Sequence, residues 1–172
     1  NMLVNFGARW CPACLRLDSE IFGTSEFQKI SKDLIKIKID VDRFENKALL
    51  QKYNIKGYPT VLFMDPQGGE IIRFMDYQPL ALIDSIIKEV NSNPSSIAVL
   101  EARESSPELR KVLWPRYFHS AQYDKALKIL EEIEPKPKEY LTAKIGWANT
   151  QQKANKEFKE SYLKILREAL KQ

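Results

Sequence analysis

The sequence predicts an α/β domain over residues 1–93, followed by an all-α region of helical hairpins over residues 94–172. Strand and helix patterns alternate up to a polar, turn-prone linker at residues 91–96, and only helical patterns follow it. A pair of cysteines stands where the first predicted strand gives way to the first predicted helix. At 172 residues, the chain has room for two small domains.

Four segments of the first region have strand patterns. Residues 2–7 are apolar and β-prone, residues 35–41 alternate isoleucine with charged residues, and residues 60–64 are again apolar. The turn-forming residues 65–69 connect that third strand to residues 70–75, so the last two strands form a hairpin. We therefore expect a mostly parallel sheet with an antiparallel end, covered by helices.

Helical spacing of apolar residues marks the remaining segments. In the first region, Thr24 or Ser25 can cap a short helix. The predicted helices there are residues 11–22, 24–30, 46–53 and 80–90. After the linker, the predicted helices are residues 107–121, 124–133, 138–151 and 157–170.

The charge distribution excludes some functions. The net charge is +4, and the whole excess lies after Asn93, where 15 Lys and Arg face 11 Asp and Glu. Because these cations are not densely clustered, we expect a solvated helical surface and no nucleic-acid binding. No apolar run approaches the roughly 18 residues of a membrane span, so we expect no membrane contact.

The cysteine pair Cys11 and Cys14 carries the clearest chemical signal. Free N–H groups and the positive end of the helix dipole favour a thiolate at Cys11, while Cys14 lies one turn deeper. Pro12 suits the first helical turn because it has no N–H to leave unbonded. An exposed thiolate that attacks a disulfide, with a shielded thiol that resolves the intermediate, fits this asymmetry.

Three other uses of the pair remain open. A structural disulfide would close only a very short loop, which stabilises little. A zinc half-site would need four ligands, and His119 is about a hundred residues away. Unreactive core thiols are the third alternative. We expect neither a metal nor a cofactor.

These motifs resemble the thioredoxin superfamily. Residues 3–14 are similar to the active-site strand and turn of thioredoxins, and residues 57–60 are similar to the cis-proline loop. Residues 22–27 and 37–42 are more similar to the C-terminal domain of DsbD-type bacterial electron-transfer proteins. The resemblance covers about residues 2–90 and implies a thioredoxin-like fold.

The resemblance also implies roles for individual residues. Cys11 is the nucleophile and Cys14 the resolving thiol of a redox-active disulfide. Pro59 is cis and packs against that disulfide, and the backbone of Tyr58 pairs with the substrate as an added strand. From the residues alone, the alternative for Pro59 is an ordinary turn proline.

Two further side chains are expected to contribute to substrate binding. Trp10 lines the recognition surface, and Pro12 lies between the cysteines next to it. An aromatic residue at position 10 could also simply pack on the helix.

Two features depart from the thioredoxin pattern. Asn5 replaces the buried aspartate that thioredoxins carry six residues before the nucleophile, and an amide cannot accept the Cys14 proton. Asp18 matches an acidic position of the DsbD-type domain and is our candidate catalytic acid–base residue; the alternative is an exposed helix charge. The family's first strand and helix are missing before residue 2, so we expect upstream sequence.

The helical region weakly resembles tetratricopeptide repeats. The small and aromatic positions of one repeat match Tyr117, Ala121, Tyr123, Ala126, Leu130 and Pro135, and Tyr140, Ala143 and Gly146 begin a second. Because a solenoid usually needs about three repeats, we favour a helical appendage docked on the redox domain, with peptide binding as the alternative.

The prediction is a thiol–disulfide oxidoreductase, and the DsbD-type resemblance favours a disulfide reductase of exported, periplasmic proteins. Its partners are protein thiols and disulfides, an upstream dithiol electron donor and a protein client on the helical region. The alternatives are an oxidase or isomerase of the same fold, a client-binding or assembly module, and a cytoplasmic location.

Overall fold

The computed structural model describes residues 1–103, 106–120 and 122–132. It divides the chain into two compact units, Asn1–Val99 and a second unit that begins at Leu100. Several predicted features lie outside the described residues, namely the helices over residues 138–151 and 157–170 and the repeat positions Ala121, Pro135, Tyr140, Ala143 and Gly146.

The strands agree with the predicted segments to within one residue. They are β1 (Met2–Gly7), β2 (Ile35–Asp40), β3 (Thr60–Met64) and β4 (Glu70–Met75). The helices are α1 (Pro12–Arg16), α2 (Ser25–Ile30), α3 (Lys47–Lys52), α4 (Leu80–Ser92), α5 (Ile97–Glu101), α6 (Pro107–His119) and α7 (Tyr123–Glu132). None of these described helices is long and apolar enough to cross a membrane.

The four strands form one mixed sheet in the order β2-β1-β3-β4. Only β1 and β2 are parallel, while β1–β3 and β3–β4 are antiparallel, so the expectation of a mostly parallel sheet is wrong. The connection through α1 and α2 returns the chain to the starting end of β1, which makes β2 parallel. The connection through α3 stays where β2 finishes, and β3 therefore begins at the end of the sheet where β1 stops.

Each face of the sheet carries its own apolar cluster, because successive side chains of a strand point to opposite faces. Leu3 and Val61 belong to one cluster, which also contains the predicted apolar face of α4. The neighbouring residues Val4 and Leu62 belong to the other, together with Cys11 and Cys14. The redox pair is thus part of a packed core.

The predicted helix over residues 11–22 is a short α-helix followed by a π-helical segment, Leu17–Phe22. Leu17 and Ile21 are buried in it, and the N–H of Gly23 closes it by donating to the Asp18 carbonyl (2.8 Å). Thr24 caps α2, since its hydroxyl accepts from the N–H of Phe27 (3.2 Å). A cap of this kind is worth about 1 kcal/mol.

The second unit contains the predicted helical hairpin of α6 and α7, whose facing residues include buried Leu113, Tyr117 and Leu130. Ser106 caps α6 by accepting from the N–H of Leu109 (3.3 Å). Helix α5 was not predicted, because five residues directly after a turn-prone segment are too few to show a helical period.

Candidate active site

Cys11 and Cys14 form a disulfide across the first turn of α1, with their Cα atoms 5.2 Å apart. Cys11 is the N-cap residue of that helix, and its sulfur accepts a hydrogen bond from the N–H of Cys14 (3.2 Å). Pro12 occupies the first turn, where no N–H is needed. The predicted placement of the pair at a strand–helix junction is confirmed.

The two cysteines are almost equally buried, with Cys11 4% and Cys14 2% exposed. The expectation of an exposed Cys11 is therefore wrong for the disulfide form. Its sulfur is enclosed because the carbonyl oxygen of Tyr58 lies 3.6 Å away on one side and the first turn of α1 lies on the other. What distinguishes the two sulfurs is the set of groups that each one faces.

The loop before β3 approaches Cys11. Its Tyr58–Pro59 peptide bond is cis, as the resemblance implied. The hydroxyl of Thr60 donates to the carbonyl of Gly57 (2.7 Å), and the N–H of Asp76 donates to the carbonyl of Pro59 (2.9 Å). The loop is thereby held between the start of β3 and the residue that follows β4. Tyr58 itself lies just outside the strand ladders.

Trp10 is 63% exposed and is nevertheless held in place by two contacts. Its indole N–H donates to the carboxylate of Asp42 (2.8 Å) in the connection after β2. Its ring meets that of Tyr58 edge to face, with the centroids 6.0 Å apart and the planes at 79°. The aromatic face next to Cys11 is therefore both oriented and open to solvent.

A polar cluster lies on the Cys14 side. Asn5 is 3% exposed, and its amide N–H donates to the carboxylate of Asp18 (3.4 Å). Lys38 donates to the other oxygen of Asp18 (2.5 Å). A Cβ atom built on Gly7 would lie 3.3 Å from the Cys14 sulfur and 3.9 Å from Asn5 Oδ1, so sulfur and amide flank the same stretch of β1.

Asn5 Oδ1 is buried and has no hydrogen-bond partner among the described residues. A buried acceptor left without a donor costs about 1–3 kcal/mol. A thiol proton on reduced Cys14, or a water molecule, would supply that donor.

A family model for the thioredoxin-like domain matches residues 1–91. This chain belongs to the thioredoxin-like family. The match covers the sheet, the disulfide and the cis-Pro59 loop described above. It stops before the helical second unit, so the tetratricopeptide resemblance stays a prediction.

Curated relatives of this thioredoxin-like chain include disulfide-exchange proteins. Protein disulfide-isomerase 1 of Dictyostelium discoideum is 30% identical over 135 residues, which is 77% of this chain and 35% of the relative. The thiol:disulfide interchange protein DsbD of Haemophilus influenzae is 31% identical over 71 residues, 40% of this chain and 12% of the relative. The chain thus spans about a third or less of the length of each.

A solved thioredoxin from Thermus thermophilus superposes on the chain with a TM-score of 0.47. It is 22% identical, and the superposition covers 52% of this chain and 72% of that one.

The structure brings most of the predicted site residues to the same end of the sheet. Trp10, Cys11, Tyr58 and Pro59 form the outer side of the disulfide. Asp18 is not merely an exposed helix charge, because it accepts hydrogen bonds from Asn5 and Lys38. In the described part of the chain, no group of three or more His, Cys, Asp or Glu residues could hold a metal ion.

Sequence reasoning missed three contributors to the site. Lys38 pairs in register with Asn5 on adjacent parallel strands, a relation visible only once the strand pairing is known. Asp42 reaches Trp10 across 32 positions of sequence, which no local pattern indicates. Gly7 stands at the end of β1, where the absence of a side chain leaves room for the Cys14 sulfur.

Proposed function

We propose that this thioredoxin-like chain is a thiol–disulfide oxidoreductase that reduces protein disulfides. The observation that carries the proposal is the Cys11–Cys14 disulfide at a helix N-terminus, directly below the cis-Pro59 loop. A purely structural staple would not need an oriented, exposed aromatic face beside it. The names of the relatives, a disulfide isomerase and a disulfide interchange protein, support the same chemistry.

The reaction begins from the reduced pair. The Cys11 thiolate attacks one sulfur of the substrate disulfide, and the other substrate sulfur leaves as a thiolate. The Cys14 thiol then loses its proton and attacks the Cys11 sulfur, which releases the first substrate sulfur. Two electrons have moved to the substrate, and an upstream dithiol protein returns two electrons to the Cys11–Cys14 disulfide.

The outer side of the disulfide binds the substrate in this proposal. The backbone of Tyr58 lies beside Cys11 and outside the strand ladders, so an extended substrate chain can pair with it. Trp10 supplies a rigid aromatic surface next to the attacking sulfur, and Pro12 completes that surface.

The inner side of the disulfide, formed by Asn5, Asp18 and Lys38, accepts the proton of Cys14 in this proposal. Asn5 Oδ1 orients the Cys14 S–H by accepting from it, and Asp18 takes the proton through a water molecule. Lys38 keeps the Asp18 carboxylate in place. A carboxylate that acts through one water is within the usual reach of a general base.

The direction and the place of action rest on the DsbD-type resemblance. We propose reduction of exported proteins in the periplasm, driven by an upstream dithiol donor. Isomerisation is the second candidate, because the isomerase relative aligns over 135 residues. In the isomerase case, Cys11 would attack and be expelled again before Cys14 resolves.

The reduction potential of the Cys11–Cys14 couple separates these functions. Equilibration of the full chain with glutathione buffers, followed by mass spectrometry of alkylated thiols, measures it. We expect about −270 mV, whereas about −180 mV would indicate an isomerase and about −120 mV an oxidase. A pair that exchanges with no disulfide at all would refute the proposed function.

A further inference from the structure

A groove of about 550 Å³ opens at the end of the sheet beside the redox site. Gly7 at the end of β1 and Ala8 directly after it line the groove, together with Leu15 of α1 and with Arg43 and Glu45 of the connection after β2. Neither Tyr58 nor Pro59 belongs to its lining, so it is separate from the proposed strand-pairing surface.

The groove lies at the ends of the two parallel strands, β1 and β2. Asn5 and Gly7 point to the same face of β1, and Gly7 pairs in register with Asp40 of β2. Gly7 has no side chain, and the Cys14 side chain packs over it, with its sulfur 3.3 Å from where a Cβ would lie, so the wall of the groove at Gly7 adjoins the disulfide. The carboxyl ends of parallel strands are also where open α/β sheets bind their ligands.

Exposed apolar residues lie in the lining of the groove or next in sequence to it. Leu15 lines it and is 52% exposed. Trp10 follows the lining residue Arg9, and Phe44, which is 77% exposed, lies between Arg43 and Glu45. The Trp10–Asp42 hydrogen bond joins the residue after Arg9 to the connection after β2, which carries Phe44. Exposed apolar patches with a polar rim mark surfaces that bind other proteins.

The charges of the rim select the partner. Arg43 already faces two carboxylates, those of Asp40 (3.9 Å) and Glu45 (3.8 Å). Arg9 lines the groove and makes no hydrogen bond or ion pair with another residue in the described ranges. Its positive charge is therefore available to a carboxylate of a partner protein.

We propose that this groove docks an acidic, aromatic segment of the protein substrate whose disulfide Cys11 attacks. An aromatic or aliphatic side chain of that segment packs against Leu15, and a neighbouring carboxylate binds Arg9. The proposal rests on the proposed function, since it names a docking surface for the redox partner.

Binding is tested first, without any redox step. Two cysteine-free peptides of alternating sequence, one of Glu and Phe and one of Lys and Phe, are titrated into the ¹⁵N-labelled full chain. We expect the Glu peptide to shift the backbone amide signals of Gly7, Arg9 and Glu45, and the Lys peptide to leave them unchanged. Equal shifts with both peptides, or no shift at these residues, would overturn the proposal.

Turnover is tested next with two substrates, the Glu–Phe peptide carrying a disulfide and the neutral bis(2-hydroxyethyl) disulfide. We take the kcat/KM for the peptide disulfide divided by the kcat/KM for the neutral disulfide. In Arg9→Glu, we expect this ratio to fall about tenfold. The neutral substrate records any general effect of charge next to Cys11. Arg9→Lys is the conservative variant, and Lys32→Glu, at an exposed turn residue before the start of β2, is the matched charge control.

We expect both control variants to keep the ratio within a factor of about two. An unchanged ratio in Arg9→Glu would overturn the docking proposal while leaving the redox proposal intact. If the natural chain turns over neither substrate but still shows the peptide-induced shifts, the redox proposal alone is refuted.

Discussion

The two sides of the Cys11–Cys14 disulfide are built from different kinds of group. The outer side presents the exposed Trp10 ring and the backbone of the cis-Pro59 loop. The inner side presents buried Asn5 and the Lys38–Asp18 ion pair. The difference supports the proposed division of tasks between the two sides, because a neutral surface suits the binding of many chains whereas proton transfer needs a positioned charge.

The largest effect is expected from the two sulfurs themselves. Cys11→Ser should abolish reduction of every disulfide, because no thiolate is left to attack. Cys14→Ser should accumulate mixed disulfides with substrate, detected by mass spectrometry under non-reducing conditions. Alkylation of the reduced natural chain at mildly acidic pH should label Cys11 first. Preferential labelling of Cys14 would reverse the assignment.

Removal of the Asp18 carboxylate should have the next largest effect on the reaction rate. Asp18→Asn should slow the collapse of a Cys11 mixed disulfide by about 10²-fold near neutral pH, the low end of what a positioned base contributes. Glu20→Gln is the matched control, since Glu20 lies on the same helical segment and pairs only with exposed Arg16 among the described ion pairs. If both variants collapse at the natural rate, bulk water takes the Cys14 proton.

Asn5→Asp should lower the stability of the fold and raise the rate of mixed-disulfide collapse. The new carboxylate would lie within about 3.4 Å of the Asp18 carboxylate and would be buried. Like charge and burial raise the pKa of that carboxyl above its unfolded value. The variant is therefore most stable below the unfolded pKa and loses stability as pH rises through the folded pKa.

The measurement for Asn5→Asp is denaturant unfolding between pH 4 and pH 8, with mixed-disulfide collapse followed in parallel. We expect a loss of about 1–3 kcal/mol at neutral pH that shrinks in acid, together with faster collapse. A loss of stability that does not change with pH would show that shape, and not charge, matters at this position.

Changes on the outer side should have the smallest effects and should depend on the substrate. Trp10→Ala should lower kcat/KM for a protein disulfide by about fivefold to tenfold, within the range of an aromatic interface residue. Asp42→Asn weakens the hydrogen bond that orients Trp10 and should give a smaller loss. A small disulfide should be reduced at the natural rate by both variants. Equal losses on small and large disulfides would contradict a recognition role.

Local signals were sufficient to predict most of the fold. Alternating isoleucines predicted β2, and the turn residues after Met64 predicted the β3–β4 hairpin. Strand direction was not predictable in the same way, because apolar runs carry no direction. The antiparallel β1–β3 pairing depends on the end of the sheet at which the α3 connection places the start of β3.

The residues of the candidate site also differ in whether local sequence signals could predict them. Cys11, Cys14 and Pro59 lie in short motifs whose spacing is itself the signal. Asp42 and Lys38 act through contacts that span 20 or more positions, so only the folded chain shows them. The burial of Cys11 was likewise hidden, because it depends on the Tyr58 carbonyl from a distant loop.

The separation of the two sides is tested most directly by following both steps of one reaction in stopped flow. The full chain, Trp10→Ala, Asp18→Asn and the double variant are each mixed with a fluorescent peptide disulfide. We predict that Trp10→Ala slows only the formation of the mixed disulfide and that Asp18→Asn slows only its collapse. The double variant should show both losses unchanged, as expected for independent sites. A slower collapse in Trp10→Ala, or a slower formation in Asp18→Asn, would contradict the account.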